Sequence, residues 1–264
     1  MAHVSPSLVK KHIEKNSLLK KAWEILVNDV EIQELLKMSN VNAVSRLLYN
    51  DHGPVHAAIV SGSALEIYEI LKSAGIKPSS LEQRVVPSED YSRLIVLLGA
   101  YLHDIGNSVH RENHELIGAL LSNTLLDRIL QEIIDSKQLI YRIKSEVMGA
   151  IYSTAMNVKA LTIEASIVKV ADATDMAEGR ARLPYSRGKE DIHALSALSI
   201  TRVELKRGRE RPLIIEVYMK DLAGMFQIEK VLLPKLNYSL IREYTEVRPI
   251  LINGSGQSLK PIKP

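Results

Sequence analysis

The chain has 264 residues, of which 46% are hydrophobic and 25% charged. That is long enough for one large domain, or a domain with a smaller appendage, at the usual roughly 50–250 residues per domain. No apolar run approaches the roughly 20 residues of a membrane-spanning helix, and Lys10, Lys11, Glu14 and Lys15 break up the N-terminus, so neither a membrane span nor a signal peptide is read and a soluble, cytoplasmic location is expected. With no cysteine and a net charge of only +3, disulfides and thiolate metal sites are excluded, and any metal must be held by His, Asp or Glu.

In chain order, the apolar positions from Ser7 to about Lys37 recur at three- and four-residue steps and predict two short helices or one interrupted helix. Asn40 to Tyr49 carries another turn. Asn50-Asp51-His52-Gly53-Pro54 is a breaker cluster in which Pro54 opens the next helix, leaving His56 near that helix's N-terminus. The helix runs to a stop at Gly75, and the polar loop from Lys77 to Asp90 is long enough to suggest a site or a lid. Tyr91 to His103 is a buried helix closed by Gly106-Asn107, followed by a helical pattern from Leu116 to Ile134 with a break near Asn123. Leu139 to Tyr152 and Leu161 to Met176 are further helices. On the second, about 100° per residue places Asp172 on the side of Leu161, Ala165, Val168 and Met176. Beyond Gly188 a hairpin, Ser199–Lys206 with Leu213–Met219, is followed by a helix from Gly224 to Leu236 and a third strand from Tyr244 to Ile252 with Pro249 near an edge. The tail from Asn253 reads as frayed.

The central signal is His103-Asp104 at the end of the run Leu94 to Leu98. Burying an unpaired polar group costs about 2–7 kcal/mol, and a metal ion is the simplest partner for two of them. Three helices thus each present a metal-type ligand: His56, the His103-Asp104 pair, and Asp172. Singly, such residues are more often hydrogen-bonded core groups, caps or ion pairs. Imidazole with carboxylate suits Mn, Fe, Co, Ni or Zn, with Mg also admitted.

Together, and in this order, they resemble the HD superfamily of metal-dependent phosphohydrolases. The likeness lies in His56-Ala57-Ala58-Ile59-Val60, in Leu102-His103-Asp104-Ile105-Gly106-Asn107, and in Val168 to Met176 around Asp172. It covers roughly Asp51 to Met176. The resemblance implies a helical domain in which His56, His103, Asp104 and Asp172 coordinate one divalent cation, with room left for water and a phosphate oxygen. A divalent ion polarises a phosphoryl group and lowers the pKa of bound water toward about 7.

His52 competes with His56 as first ligand, or touches substrate. His110 and His114, four apart, would share a helix face if the helix has begun by His110, and suit a second weaker metal site or phosphate binding. Tyr152, Ser153 and Thr154 stand where two-metal members of the superfamily have a further His, which argues for one metal. Glu112 is a candidate general acid or base, with Asp175 as the alternative. Lys169, Arg180, Arg182 and Arg187 form a candidate clamp for substrate phosphate.

The expected fold is mainly α: an HD-type helical catalytic domain over 1–187, then a small α+β subdomain over 188–264 in β-β-α-β order. So small a sheet needs cover, from the helical domain or from a second subunit, and a homodimer is expected. Residues 179–264 carry 16 Lys and Arg against nine Asp and Glu, whereas 1–178 carry 18 against 22. The basic half is a solvated surface or an attractor of anions; with no recognition motif, nucleic acid is disfavoured. The functional expectation is hydrolysis of a phosphoester of a nucleotide or other small phosphorylated metabolite. The alternative is a nucleotide-binding regulatory module with little or no turnover.

Overall fold

The computed structural model describes residues 1–177, 192–252 and 257–264. The N-terminal run divides into three helices: α1 (Leu8–Ile13), α2 (Ser17–Asn28) and α3 (Val30–Asn40). Apolar spacing alone predicts at most two, because it does not reveal that Asn16 and Asp29 act as caps. Asn16 Oδ1 accepts the Leu19 N–H at 3.0 Å and Asp29 Oδ1 accepts that of Ile32 at 3.0 Å, so each starts a new helix. A wider π-type turn over Val41–Arg46 continues α3. Helix α4 (Pro54–Ser73) opens with Pro at its first turn, as expected, and the chain reverses at Gly75 with φ +84°.

The segment after Gly75 is not a lid. It contains α5 (Ser79–Glu82) and is fastened to the body by the fully buried Glu164, which accepts the N–H groups of Ser79 at 3.1 Å and Ser80 at 3.0 Å and the Ser80 hydroxyl. Helix α6 (Glu89–Leu102) follows, buried from Leu94 to its end, then a tight 3-10 turn over Ile105–Ser108. Helix α7 (His114–Ile133) runs unbroken through Asn123, because Ser122, Leu125 and Leu126 keep one face buried. Helices α8 (Lys137–Tyr152) and α9 (Ile163–Thr174) complete the helical body. Ser136 and Thr162 cap them by accepting the Leu139 and Ala165 N–H groups. The elements α4, α6, α8 and α9 pack on one another around the apolar core.

The C-terminal part holds α10 (Ile192–Ser199), β2 (Ile200–Arg207), β3 (Leu213–Met219), a succession of helical turns including α11 (Met225–Gln227) and α12 (Leu233–Asn237), and β4 (Thr245–Leu251). The β-β-α-β order is as expected. Two strands were not foreseen: β1 (Ala2–His3) pairs with β2, and β5 (Gln257–Ser258) pairs with β4, giving the order β1-β2-β3-β4-β5. The tail is therefore not frayed throughout, since Val247 and Ile262 also exchange backbone hydrogen bonds. β3 and β4 are parallel, joined by the helical crossover. Alternation puts Val203, Leu205, Ile215, Val217 and Val247 on the inner face, packed toward α4, and Arg202, Glu204, Lys206, Glu216 and Arg248 on the outer one. The helical body thus covers the sheet, the first of the two routes expected. The expected boundary at residue 187 lies outside the described residues.

Candidate metal centre

Four elements bring the chemistry together. Asn40, at the end of α3, fixes the loop before α4: its Oδ1 accepts the His52 N–H at 2.8 Å and its Nδ2 donates to Asp51 Oδ2 at 3.1 Å. That sets His56 in the first turn of α4, its side chain fully buried. His103 and Asp104 stand where α6 gives way to the tight turn, 1% and 2% exposed. The turn lies hard against α7: a Cβ on Gly106 would come within 1.9 Å of His114 O and 2.5 Å of the Gly118 backbone nitrogen. Glycine at 106 is therefore required by close backbone approach. Asp172 lies in the last turns of α9, the most accessible of the four at 15% side-chain exposure.

His56 Nε2 and His103 Nε2 face each other at 3.2 Å. His56 Nε2 is 3.3 Å from Asp104 Oδ2 and 3.2 Å from Asp172 Oδ1; the corresponding distances from His103 Nε2 are 3.4 and 3.5 Å. Donor atoms in adjacent positions around a cation bonded at about 2.0–2.2 Å are about 3.0–3.5 Å apart, so the spacing fits. The far ring nitrogens fix the tautomers: His56 Nδ1–H donates to Asp175 Oδ2 at 2.7 Å and His103 Nδ1–H to Ala100 O at 2.9 Å. Two ring lone pairs and two carboxylates then converge on one place, an arrangement that needs a cation or a proton. Burial disfavours the charged His103 ring, but the Asp104 and Asp172 carboxylates overcome this and push its pKa up to about 9. Burial likewise opposes ionisation of the two aspartates, yet their cationic neighbours, Lys235 and His103 for Asp172, His103 and His52 for Asp104, hold both well below the usual carboxylate range.

His52 joins the cluster: its Nδ1 is 2.5 Å from Asp104 Oδ2. Two overlapping trios, His52 with His56 and Asp104, and His56 with His103 and Asp172, present ligand atoms within 4.8 Å of one another. Asp104 Oδ1 accepts from Asn107 Nδ2 at 2.9 Å and lies 3.5 Å from His114 Nε2. His114 Nδ1–H donates to Arg111 O at 2.9 Å and its Nε2 accepts from Arg111 Nη1 at 3.1 Å. It is a buried ring whose pKa is lowered by burial and by the Arg111 charge, against the pull of Asp104.

Several expected site residues stand elsewhere. α7 starts only at His114, so His110 and His114 do not share a helix face. His110 is exposed, and its Nδ1 accepts the Glu112 N–H at 3.0 Å; Glu112 is exposed in the same turn. Asp175 lies behind His56, as the hydrogen-bond partner of its Nδ1. Lys169 is fully buried and donates to the carbonyls of Ser153, Ala155 and Val158, where it closes the turn after α8 and is no phosphate clamp. Burial, with Lys235 nearby, lowers its pKa to about 8. Ser153 and Thr154 also satisfy their hydroxyls on backbone carbonyls. Arg180, Arg182 and Arg187 lie outside the described residues.

Two residues at the site were not anticipated. Asn107, directly after His-Asp-Ile-Gly, was readable from its place in the motif. Lys235 of α12, whose ammonium pairs with Asp172 Oδ2, had one faint signal, a Lys next to the core residues Leu232 and Leu236. A cavity of about 300 Å3 opens beside His56 and Asp175, lined also by His3, Val4, Ser5 and Pro6 of the N-terminal strand segment.

The family model described as HD domain matches residues 43–177, a span that holds all four converging side chains. The uncharacterized protein MJ1020 of Methanocaldococcus jannaschii is 45% identical over 237 residues, covering 89% of this chain and 91% of that one. No solved structure matches the chain.

Proposed function

The chain belongs to the HD domain family, a hydrolase superfamily, and from that premise we propose that it hydrolyses a phosphoester of a nucleotide or other small phosphorylated metabolite with water activated by a divalent metal. The observation that carries the reading is the convergence of His56 Nε2 from α4, His103 Nε2 and Asp104 Oδ2 from the end of α6, and Asp172 Oδ1 from α9 at 3.2–3.5 Å. His56, His103, Asp104 and Asp172 would hold the ion. When bound, it supplies positive charge to the phosphoryl oxygens and acidifies water.

The remaining side chains divide the work. Asp175 and Ala100 O keep the Nδ1 protons of the two histidines in place, so both Nε2 lone pairs face the centre. Asn107 holds Asp104 by its second oxygen. His52, against Asp104 at the end of the loop before α4, would either join the ligands or meet substrate.

One observation favours a second reading, a nucleotide-binding module with little turnover: Glu112 is exposed in a turn and Asp175 is engaged by His56, so neither expected acid or base stands free at the centre. Phosphate release measured across nucleotides, with Mn, Co, Ni, Zn and Mg each supplied, separates the two. Turnover abolished in His103→Ala supports the hydrolase; tight nucleotide binding without turnover under every metal supports the module. A division near residue 187, a cytoplasmic location and a homodimer belong to the same proposal. Sedimentation equilibrium giving a mass of one chain removes the last.

A further inference from the structure

We propose that Lys235, which lies outside the matched span 43–177, is the phosphate-binding cation of this centre; the ligand class rests on the hydrolase reading. The first observation is its place. Lys235 is 8% exposed, and its ammonium is bound to Asp172 Oδ2. The other oxygen of that carboxylate is 3.2 Å from His56 Nε2 and 3.5 Å from His103 Nε2. Its charge therefore sits one carboxylate width from the converging ligand atoms, on the most open of the four side chains.

The second observation is a contrast between two buried lysines. An ammonium has three N–H donors. Lys169 spends all three on the carbonyls of Ser153, Ala155 and Val158, so its role is architectural. Lys235 has Asp172 as its one hydrogen-bond partner among the described residues. Two donors of a nine-tenths buried cation are thus left beside the site, where an acceptor with several oxygens can take them. Phosphate is such an acceptor.

The third is that the lysine is held in position. α12 is seated on α9 and the turn before it: the Ala160 N–H donates to Tyr238 O at 2.9 Å and the Leu240 N–H to Ser166 Oγ at 2.9 Å, while Leu232 and Leu236 are fully buried. Charge gives the reason for such a group. Asp104, Asp172 and a divalent ion sum to zero, and the Asp175 carboxylate adds a further negative charge, so the centre by itself offers an anion no net attraction. Lys235 adds one positive charge on the Asp172 side, whereas Asp175 lies behind His56. A compact ammonium is suited to a phosphate oxygen as a point charge.

The test measures binding of inorganic phosphate by calorimetry to Co2+-saturated wild type, Lys235→Met, Lys235→Gln and Lys235→Arg, with Co2+ affinity measured separately. Gln keeps a hydrogen bond to Asp172 without the charge, and guards against a Met variant that does not fold. Met and Gln are expected to weaken phosphate about 10–100-fold, as for loss of a charged hydrogen bond, and Arg to recover most of it. Unchanged phosphate affinity in the saturated Met and Gln variants, with only Co2+ affinity reduced, overturns the proposal and leaves Lys235 a holder of Asp172. The hydrolase reading fails separately. Phosphate binding that depends on Lys235 in a protein that hydrolyses nothing upholds Lys235 and removes the hydrolase. Turnover with KM unchanged in Lys235→Gln does the reverse.

Discussion

His103 links metal binding to pH. Its Nε2, the atom a cation must take, lies 3.4 and 3.5 Å from the Asp104 and Asp172 oxygens. Burial opposes its protonation, but the two carboxylates win and raise the pKa to about 9. In the metal-free protein at pH 7 the neutral ring is then about one part in 100. Metal uptake at pH 7 should release about one proton from this group, and apparent affinity should climb about tenfold per pH unit from 7 toward 9, or about 3 kcal/mol in all. Metal-free stability should respond in the opposite direction. Because the folded value lies above the ordinary 6.5, the stabilisation is complete below pH 6.5 and is lost as pH rises through about 9. Calorimetric titration with Co2+ in two buffers of different ionisation enthalpy counts the protons. Urea unfolding of chelator-treated wild type and His103→Gln between pH 6.5 and 9 isolates the stability effect from Lys169, whose lowered value near 8 acts in the other sense. No proton released at pH 7, or a wild-type advantage over His103→Gln that grows with pH, would refute the reasoning.

Gly106→Ala should lower the urea midpoint by an amount worth about 1–3 kcal/mol or more, because its Cβ meets backbone at 1.9 and 2.5 Å and α7 must retreat; an unchanged midpoint would contradict the close approach. Asp175→Ala removes the partner of His56 Nδ1 and should weaken Co2+ binding about 10–100-fold, while the proton release tied to His103 persists; full Co2+ affinity would show that His56 needs no such support. Lys169→Met strands three carbonyls and should cost about 3 kcal/mol of stability. Phosphate affinity at metal saturation should stay unchanged in that variant, and a selective loss of phosphate binding would restore Lys169 to the site.

Local signals settled the parts of this protein whose causes are local. Apolar periodicity with Pro54 and Gly75 marked α4, and alternation marked β2 and β3, because 3.6- and two-residue repeats are properties of the strand or helix itself. His103-Asp104 stood out because an apolar run ending in two polar groups demands a partner. The same logic explains the misses. Asn16 and Asp29 look like any polar residue until their side chains are seen capping α2 and α3, and a two-residue strand such as β1 has no period to detect; its partner is some 200 residues away. Packing alone decided which lysine pairs with Asp172. Lys169, three residues before Asp172, turns to backbone carbonyls, while Lys235, 63 residues beyond, reaches the carboxylate because α12 docks on α9. Sequence proximity sets which side chains are neighbours along a helix, but a buried charge is paired by whichever group the closed core brings within reach.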